Sequence, residues 1–382
     1  MSRTTLGRAA CSNVSDSGIV TKAYREFVVS IAQKAIPVPV STPFLYNAGI
    51  NYETWTLGRN SRIISADLDQ ITKYYRLIKT FHDAAVGTSD PSTPIIEPTQ
   101  QSVIDYVVAR PKLQLVMGTN NSALAQGGFG TPWRPGLMNS QAYTDKWVSM
   151  LIRAFGSADA VKTHLTTVLL GNEIDANGPP PTDVPNFNAY LNGWIPSALN
   201  NLKASMSAHW LGSIPVSTII ANYPSDPSAN LVASKTTNFV TNDAYWCSAW
   251  NSGHPFLMFN QYTLDNGMDP DFGPVAAYFE KLGTNFNHKP DILVGETGFS
   301  AEFGSGVADE AKVLGEMFAW AGTPLAAGKI TIPVFAFEAF DLPDKPPGQK
   351  LFGLFADHAN NVPDGLKPGI VVPAWVLDPI TP

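Results

Sequence analysis

The sequence has few cysteines and few charged residues. Its 382 residues include two cysteines, Cys11 and Cys247, so the chain can form one disulfide bond or none, but no disulfide framework. Charged residues make up 15% of the chain, against an average of about 25% in globular proteins. This composition excludes a coiled coil and a charge-driven disordered chain. The net charge of −7 argues against binding to phosphate backbones, so we expect no nucleic-acid partner.

Long hydrophobic runs and metal-binding patterns are also absent from the sequence. No apolar run approaches the roughly 20 residues of a membrane span, and residues 1–17 lack the apolar stretch of a signal peptide. The six histidines show no metal-ligand spacing, so we expect neither a metal nor another cofactor. The composition predicts a globular protein, expected to be a monomer, with an uncharged polar ligand.

The chain repeats a pattern in which a short apolar run is followed by a longer segment with helical periodicity. Several of these apolar runs are continuous, as expected for parallel strands buried on both faces. The predicted strands are Phe44–Ile50, Leu77–Phe81, Leu113–Gly118, Thr166–Gly171, Ile214–Ile220, Phe256–Tyr262, Ile292–Val294 and Ile332–Phe337. The predicted helices between them are Ala66–Arg76, Pro98–Ala109, Ala142–Phe155, Phe187–Ala208, Asn230–Val240, Pro274–Leu282 and Val307–Ala321.

Eight strands with seven intervening helices predict an α/β fold, a single (β/α)8 TIM barrel over residues 41–382. Residues 121–141 and 223–254 are predicted to form long loops at its C-terminal face. After the last strand, residues 341–382 contain eight prolines and no long periodic segment. A helical pattern at Ile19–Ala35 predicts an N-terminal helical extension, residues 1–40, that packs on the barrel over this gap. The alternative is a helix elsewhere on the surface.

Acidic residues follow three of the predicted strands at their C-terminal ends, and Glu338 is the one after the eighth strand. Glu173 comes after the fourth strand and Glu296 after the seventh. Active sites of such barrels lie at this end of the strands, and a carboxylate next to buried aliphatic residues is costly unless it is paired or used. Two glutamates that face each other suit the cleavage of a glycosidic bond. The alternative is that each glutamate caps a helix or pairs with an arginine at the rim.

Five ordered motifs between residues 43 and 356 resemble glycoside hydrolase family 17, of the microbial type. Gly171-Asn172-Glu173 resembles the acid/base motif of that family, and Gly295-Glu296-Thr297-Gly298-Phe299-Ser300 resembles its nucleophile motif. The other motifs are Ala48-Gly49-Ile50-Asn51-Tyr52, then Ala66-Asp67-Leu68 with Tyr75–Phe81, and Phe337–Asp341 with Lys345 and Leu351–Phe355. The family belongs to a clan of retaining (β/α)8 glycosidases.

The resemblance implies that Glu173 is the general acid/base and Glu296 the nucleophile. Glu173 must hold a proton near neutral pH, which burial and a neighbouring carboxylate favour. Glu296 must stay ionised and needs hydrogen-bond donors, for which Tyr262 is a candidate. Asn172 is expected to bind the sugar 2-hydroxyl. We expect retention of configuration, with the two carboxyl groups about 5 Å apart.

Aromatic residues at strand ends and in the following loops are candidates for stacking on sugar rings. Among them we expect substrate contacts from Tyr52, Trp133, Trp250 and Phe299, with Tyr46, Trp55 and Trp246 as further candidates. Three other tryptophans, Trp147, Trp194 and Trp320, fall within helical patterns and are expected to belong to the core. Glu338 either binds a sugar hydroxyl or only orients Lys345, which is also expected at the substrate.

The resemblance implies a retaining hydrolase that acts on β-1,3-glucan through a glycosyl-enzyme intermediate. A β-1,3-glucanosyltransferase would use the same site with a sugar as acceptor, and a barrel that only binds β-glucan is a third alternative. The sequence departs from the family at Phe299, where a tryptophan is usual, and at Asp341–Lys345, which lacks one carboxylate and one tryptophan. These departures affect the expected chain-length preference. The resemblance also implies an extracellular, periplasmic or cell-wall-facing location.

Overall fold

The computed structural model describes residues 44–54, 61–81, 85–86, 93–128, 130–221, 256–262, 268–277, 291–322, 333–356 and 365–379. Eight strands form one closed, all-parallel barrel in which chain neighbours pair and the last strand pairs with the first. They are β1 (Ala48–Asn51), β2 (Leu77–Thr80), β3 (Gln114–Gly118), β4 (Leu165–Leu170), β5 (Val216–Ile220), β6 (Phe256–Asn260), β7 (Asp291–Thr297) and β8 (Val334–Ala336). The predicted (β/α)8 barrel is therefore confirmed.

The strands are buried on both faces, which explains their continuous apolar runs. One layer fills the barrel and consists of Phe44, Tyr46, Leu77, Val116, Leu169, Ile219, Met258, Leu293 and Phe335. The other layer packs between the barrel and the helices. Gly49 makes room for the interior layer, because a Cβ at this position would lie 2.5 Å from the ring of Phe335.

Helices lie between the strands along the chain. They are α1 (Ser61–Ile71), α2 (Pro98–Val108), α3 (Gln141–Phe155), α4 (Ala158–His164), α5 (Val184–Ala189), α6 (Ile195–Ala208) and α7 (Val307–Gly322), and residues 273–277 are also helical. The ends of α3 show how local sequence sets the boundaries. The Ser140 hydroxyl accepts the N–H of Tyr143, and Gly156 ends the helix in the left-handed conformation.

Two helices differ from their predicted bounds by more than one residue. The first ends at Ile71 instead of Arg76, because the Thr72 hydroxyl donates to the Leu68 carbonyl and the Arg76 guanidinium binds the Thr72 carbonyl. The predicted helix Phe187–Ala208 is interrupted by a π-helical turn at Tyr190–Trp194. Pro196 follows this turn and has no N–H for the ladder, which accounts for the irregularity. The short helix α4 was not predicted.

The predicted loop 121–141 has structure of its own. It contains an antiparallel hairpin of Ala125–Gly128 with Thr131–Pro135, between single turns at Asn121–Ala123 and Leu137–Asn139. A second short hairpin pairs Ala85–Val86 with Pro94–Ile95. The N-terminal extension, the loop 223–254, the helix predicted at Asn230–Val240 and both cysteines lie outside the described residues.

After β8, the described residues contain no α-helix. The segment 365–379 packs on α7 instead, where Trp375 meets Phe318 edge-on with ring centroids 6.4 Å apart. Lys367 anchors this segment by ion pairs with Glu310 of α7 (3.1 Å) and with Asp341 (2.7 Å). Of the helices that the structure describes, none has the length and apolar character needed to cross a bilayer.

Candidate active site

Glu296 lies within β7, which continues past Val294 where the sequence predicted its end. The pairing register shifts beside Glu296 on both sides of β7. On the β6 side, Phe259 pairs with Val294 but Asn260 pairs with Glu296, and on the β8 side the register shifts between Val294 and Thr297. Such irregularities re-aim side chains at barrel rims. Gly295 fits the shift, because a Cβ there would lie 2.6 Å from Met258 and 2.8 Å from Asn260. The carboxylate of Glu296 is thereby buried in the mouth of the barrel, with 4% exposure.

Two donors bind the carboxylate of Glu296. The Tyr262 hydroxyl donates to Oε2 at 2.8 Å, as the sequence led us to expect for this pair. The Lys79 ammonium of β2 donates to Oε1 at 3.0 Å and is itself completely buried. Burial lowers the pKa of Lys79, and the charge of Glu296 opposes that effect. The pair therefore places the Lys79 ammonium directly against the carboxyl group of Glu296 inside the barrel.

Asn51 at the end of β1 orients Lys79. Its Oδ1 accepts a hydrogen bond from Lys79 Nζ at 2.8 Å. Its Nδ2 donates to the carbonyls of Gly295 (3.0 Å) and Ala336 (3.1 Å). This side chain links β1 to β7 and β8 and leaves the ammonium aimed at Glu296.

Glu173 follows β4 in a left-handed backbone conformation, with φ of 51°. The Nδ2 of Asn260 donates to Glu173 Oε1 and to Asn172 Oδ1, both at 3.3 Å. Burial raises the pKa of Glu173, and the charge of Glu296 raises it further. Asn121 holds the turn, because its side chain accepts the N–H of Asn172 (2.9 Å) and donates to its carbonyl (2.8 Å).

A third cluster contains Glu53, Glu338 and Lys345. The Lys345 ammonium lies 2.7 Å from Glu53 Oε1 and 3.0 Å from Glu338 Oε1, and 4.6 Å from the centre of the Phe337 ring. Burial raises the pKa of both glutamates, which also lie within the electrostatic influence of Glu296. In the described ranges, no three acidic, histidine or cysteine side chains are arranged to hold a metal ion.

The structure does not bring every predicted residue to this cleft. Tyr52 is buried behind β1, where its hydroxyl donates to Asp67 at 2.8 Å. It follows Asn51 directly, and successive strand residues point to opposite faces. Phe299 is fully buried in the core, so its ring has no face open to a sugar.

The remaining candidates have other positions. Trp133 lies, partly buried, on the hairpin beyond β3. Tyr46 is part of the barrel interior. Trp250 and two further candidate tryptophans, Trp55 and Trp246, lie outside the described residues. The three tryptophans expected in the core, Trp147, Trp194 and Trp320, belong to it or pack against it.

Four residues at the site were not predicted as functional: Asn51, Glu53, Lys79 and Asn260. Three of them interrupt or end apolar strands, as in Leu77-Ile78-Lys79 and Phe256–Asn260. The rule that identified the glutamates, a polar group next to buried aliphatic residues, also applies to these three. Glu53 has no such signal, because its neighbours in the sequence are polar or aromatic.

Known structures share this fold at low sequence identity. Neither a family model nor a curated protein matches the chain. The structure resembles a plant β-glucan endohydrolase, with TM-score 0.53 and 17% identity over 81% of this chain and 96% of that one. It also resembles a family 17 β-1,3-glucanosyltransferase from Rhizomucor miehei, with TM-score 0.52 and 17% identity over 88% and 99% of the two chains. A β-1,3-glucanase of Cryptomeria japonica pollen has TM-score 0.51 and 16% identity over 81% and 95%. The chain thus has the (β/α)8 fold of these glucan enzymes.

Proposed function

We propose that the protein is a retaining glycosidase that acts on β-1,3-glucan by double displacement. The observation that carries this proposal is the unlike environment of two carboxyl groups at one cleft. Glu296 accepts hydrogen bonds from Tyr262 and from the Lys79 ammonium, the kind of contacts that suit a carboxylate nucleophile. Burial and the charge of Glu296 raise the pKa of Glu173, which favours its protonated form. A nucleophile and a general acid need unlike environments of this kind.

In the first displacement, Glu173 gives its proton to the leaving glycosidic oxygen while Glu296 attacks the anomeric carbon. The bond to the leaving oxygen breaks, and an ester forms between Glu296 and the sugar. In the second displacement, Glu173 takes a proton from water, whose oxygen attacks the same carbon and releases Glu296. Two inversions give net retention.

Two further groups are suited to hold the sugar. Asn172 Oδ1 already accepts from Asn260, so its Nδ2 is the atom that we expect to donate to the sugar 2-hydroxyl. Lys345 lies beside Glu338 at the end of β8 and is partly exposed, with 13% of its side chain accessible. We expect its ammonium to donate to another hydroxyl of the same sugar. A transferase would use all these groups and differ only in the acceptor of the second displacement.

The test is incubation with laminari-oligosaccharides of defined length, followed by mass spectrometry of the products. Shorter products alone indicate a hydrolase, and products longer than the substrate indicate a glucanosyltransferase. Glu296→Gln should abolish both, whereas Glu310→Gln, which alters another buried glutamate bound to a lysine, should not. Unchanged substrate with the wild-type protein would overturn the proposal and leave a glucan-binding barrel or a different substrate.

A further inference from the structure

The ammonium of Lys345 is held by carboxylates from two neighbouring strands. Glu338 follows β8 and binds Nζ with both oxygens, at 3.0 and 3.2 Å. Glu53 follows β1, which pairs with β8, and binds Nζ through Oε1 at 2.7 Å. Glu53 lies outside every sequence motif discussed above, so the family resemblance assigns it no role.

Burial of the Glu53 carboxyl group at this position costs free energy. It is 7% exposed, and its Oε2 is buried without a hydrogen-bond partner in the described structure. An unsatisfied buried oxygen keeps its full desolvation cost, and an apolar side chain would avoid that cost. One ammonium faces two carboxyl groups here, so charge balance alone does not account for Glu53. What Glu53 adds is a second anchor for the ammonium.

The geometry leaves one hydrogen of the ammonium available. An ammonium has three hydrogens. The two oxygens of the Glu338 carboxylate can share one of them and Glu53 Oε1 takes a second, which leaves the third for another acceptor, while the Phe337 ring packs against the group. Burial lowers the pKa of Lys345, but the charges of Glu338 and Glu53 outweigh that effect and raise its pKa above the ordinary value. The group thus stays a cation with a defined orientation.

We propose that Glu53 is a positioning residue that fixes the Lys345 ammonium so that its remaining hydrogen donates to a hydroxyl of the sugar bound beside Glu296. This inference rests on the proposed function. With Glu338 alone, the flexible lysine side chain could turn about a single anchor. With both anchors its orientation is set before the substrate arrives, and pre-organisation of this kind lowers the entropic cost of binding and catalysis.

Two substitutions separate position from charge. Glu53→Asp keeps the charge but withdraws the carboxylate by one methylene group, whereas Glu53→Gln keeps the reach and an acceptor oxygen but removes the charge. We expect Glu53→Asp to lower kcat/KM on laminari-oligosaccharides by about 10- to 100-fold, and Glu53→Gln to stay close to wild type. In a Lys345→Met background, Glu53→Asp should cause no further loss, because the group that it positions is gone.

The matched control is Glu310→Gln, in a more deeply buried glutamate–lysine pair away from the cleft. It should alter the melting temperature without lowering kcat/KM. The inference is overturned if Glu53→Asp retains wild-type kcat/KM, if Glu53→Gln loses as much as Glu53→Asp, or if the loss adds fully to that of Lys345→Met. A wild-type protein that does not cleave or transfer laminari-oligosaccharides would instead overturn the proposed function, so the two failures are distinguishable.

Discussion

Lys79 and Glu296 form an ion pair inside the mouth of the barrel, with 3.0 Å between Nζ and Oε1. Their side chains are 0% and 5% exposed. Removing two charges from water is costly, and each charge is tolerated because the other is present. The stability of the barrel and the environment of the candidate nucleophile therefore depend on the same contact.

Lys79→Met should destabilise the protein and impair catalysis together. Loss of one partner from a buried pair costs about 3–5 kcal/mol, so the free energy of unfolding in denaturant should fall by that amount. Because the Glu296 carboxylate loses its counter-charge, kcat should fall as well. Lys367→Met breaks the buried contacts of this lysine with Asp341 and Glu310 and should reduce stability without reducing kcat of the folded enzyme. Wild-type kcat in Lys79→Met would contradict the role assigned to the pair.

The fall of activity on the alkaline side of the pH–activity profile should follow the deprotonation of Glu173. Its raised pKa keeps the general acid protonated, and kcat/KM falls when rising pH removes that proton. The hydrogen bond from Asn260 lowers this pKa, so Asn260→Ala should move the alkaline limb to higher pH. The profile is measured on a laminari-oligosaccharide with both proteins. A shift of the alkaline limb to lower pH would contradict the expectation that the hydrogen bond from Asn260 lowers the pKa of Glu173.

Azide should separate the roles of the two glutamates. In Glu296→Ala, azide in the vacated space attacks the anomeric carbon directly, and one inversion gives a glycosyl azide of inverted configuration. In Glu173→Ala, azide attacks the glycosyl-enzyme formed on Glu296, and the second inversion gives a retained product. Substrates with a good leaving group allow both reactions, and nuclear magnetic resonance of the azides identifies the anomer. The opposite pairing of variant and anomer would reverse the assignments.

Glu310 should make stability depend on pH, away from the cleft. Burial raises its pKa to about 8, although Lys367 opposes the shift. A raised pKa in the folded state means that the native protein binds this proton more tightly than the unfolded chain does. The resulting stabilisation is complete below the ordinary glutamate pKa and is lost as pH rises through about 8.

The corresponding measurement is the melting temperature of the wild type and of Glu310→Gln across this range. The wild type should lose stability between acidic pH and about pH 8, and the variant should show a smaller loss over the same interval. Glu316→Gln, at a partly exposed position on the same helix, serves as control and should follow the wild type. Identical curves for Glu310→Gln and the wild type would contradict the assignment.

The sequence predicted those features that depend on single strands, and it missed those that depend on contacts between strands. Glu173 and Glu296 are visible because each ends an apolar run. Asn51 and Lys79 became meaningful only when barrel closure placed them beside Gly295 and Glu296. Tyr52 was expected at the substrate because it follows a strand, but the alternation of side chains places it on the opposite face from Asn51.

The junction of β8 with β1 has a consequence for synthesis of the protein. Glu53 comes from the first strand of the barrel, while Glu338 and Lys345 come from the end of the last. They meet only where the two strands pair, and Lys367 ties the segment after β8 to α7. A ribosome-bound chain from which β8 has not yet emerged cannot assemble this cluster. The candidate site of the growing polypeptide should therefore stay incomplete until its final strand has emerged.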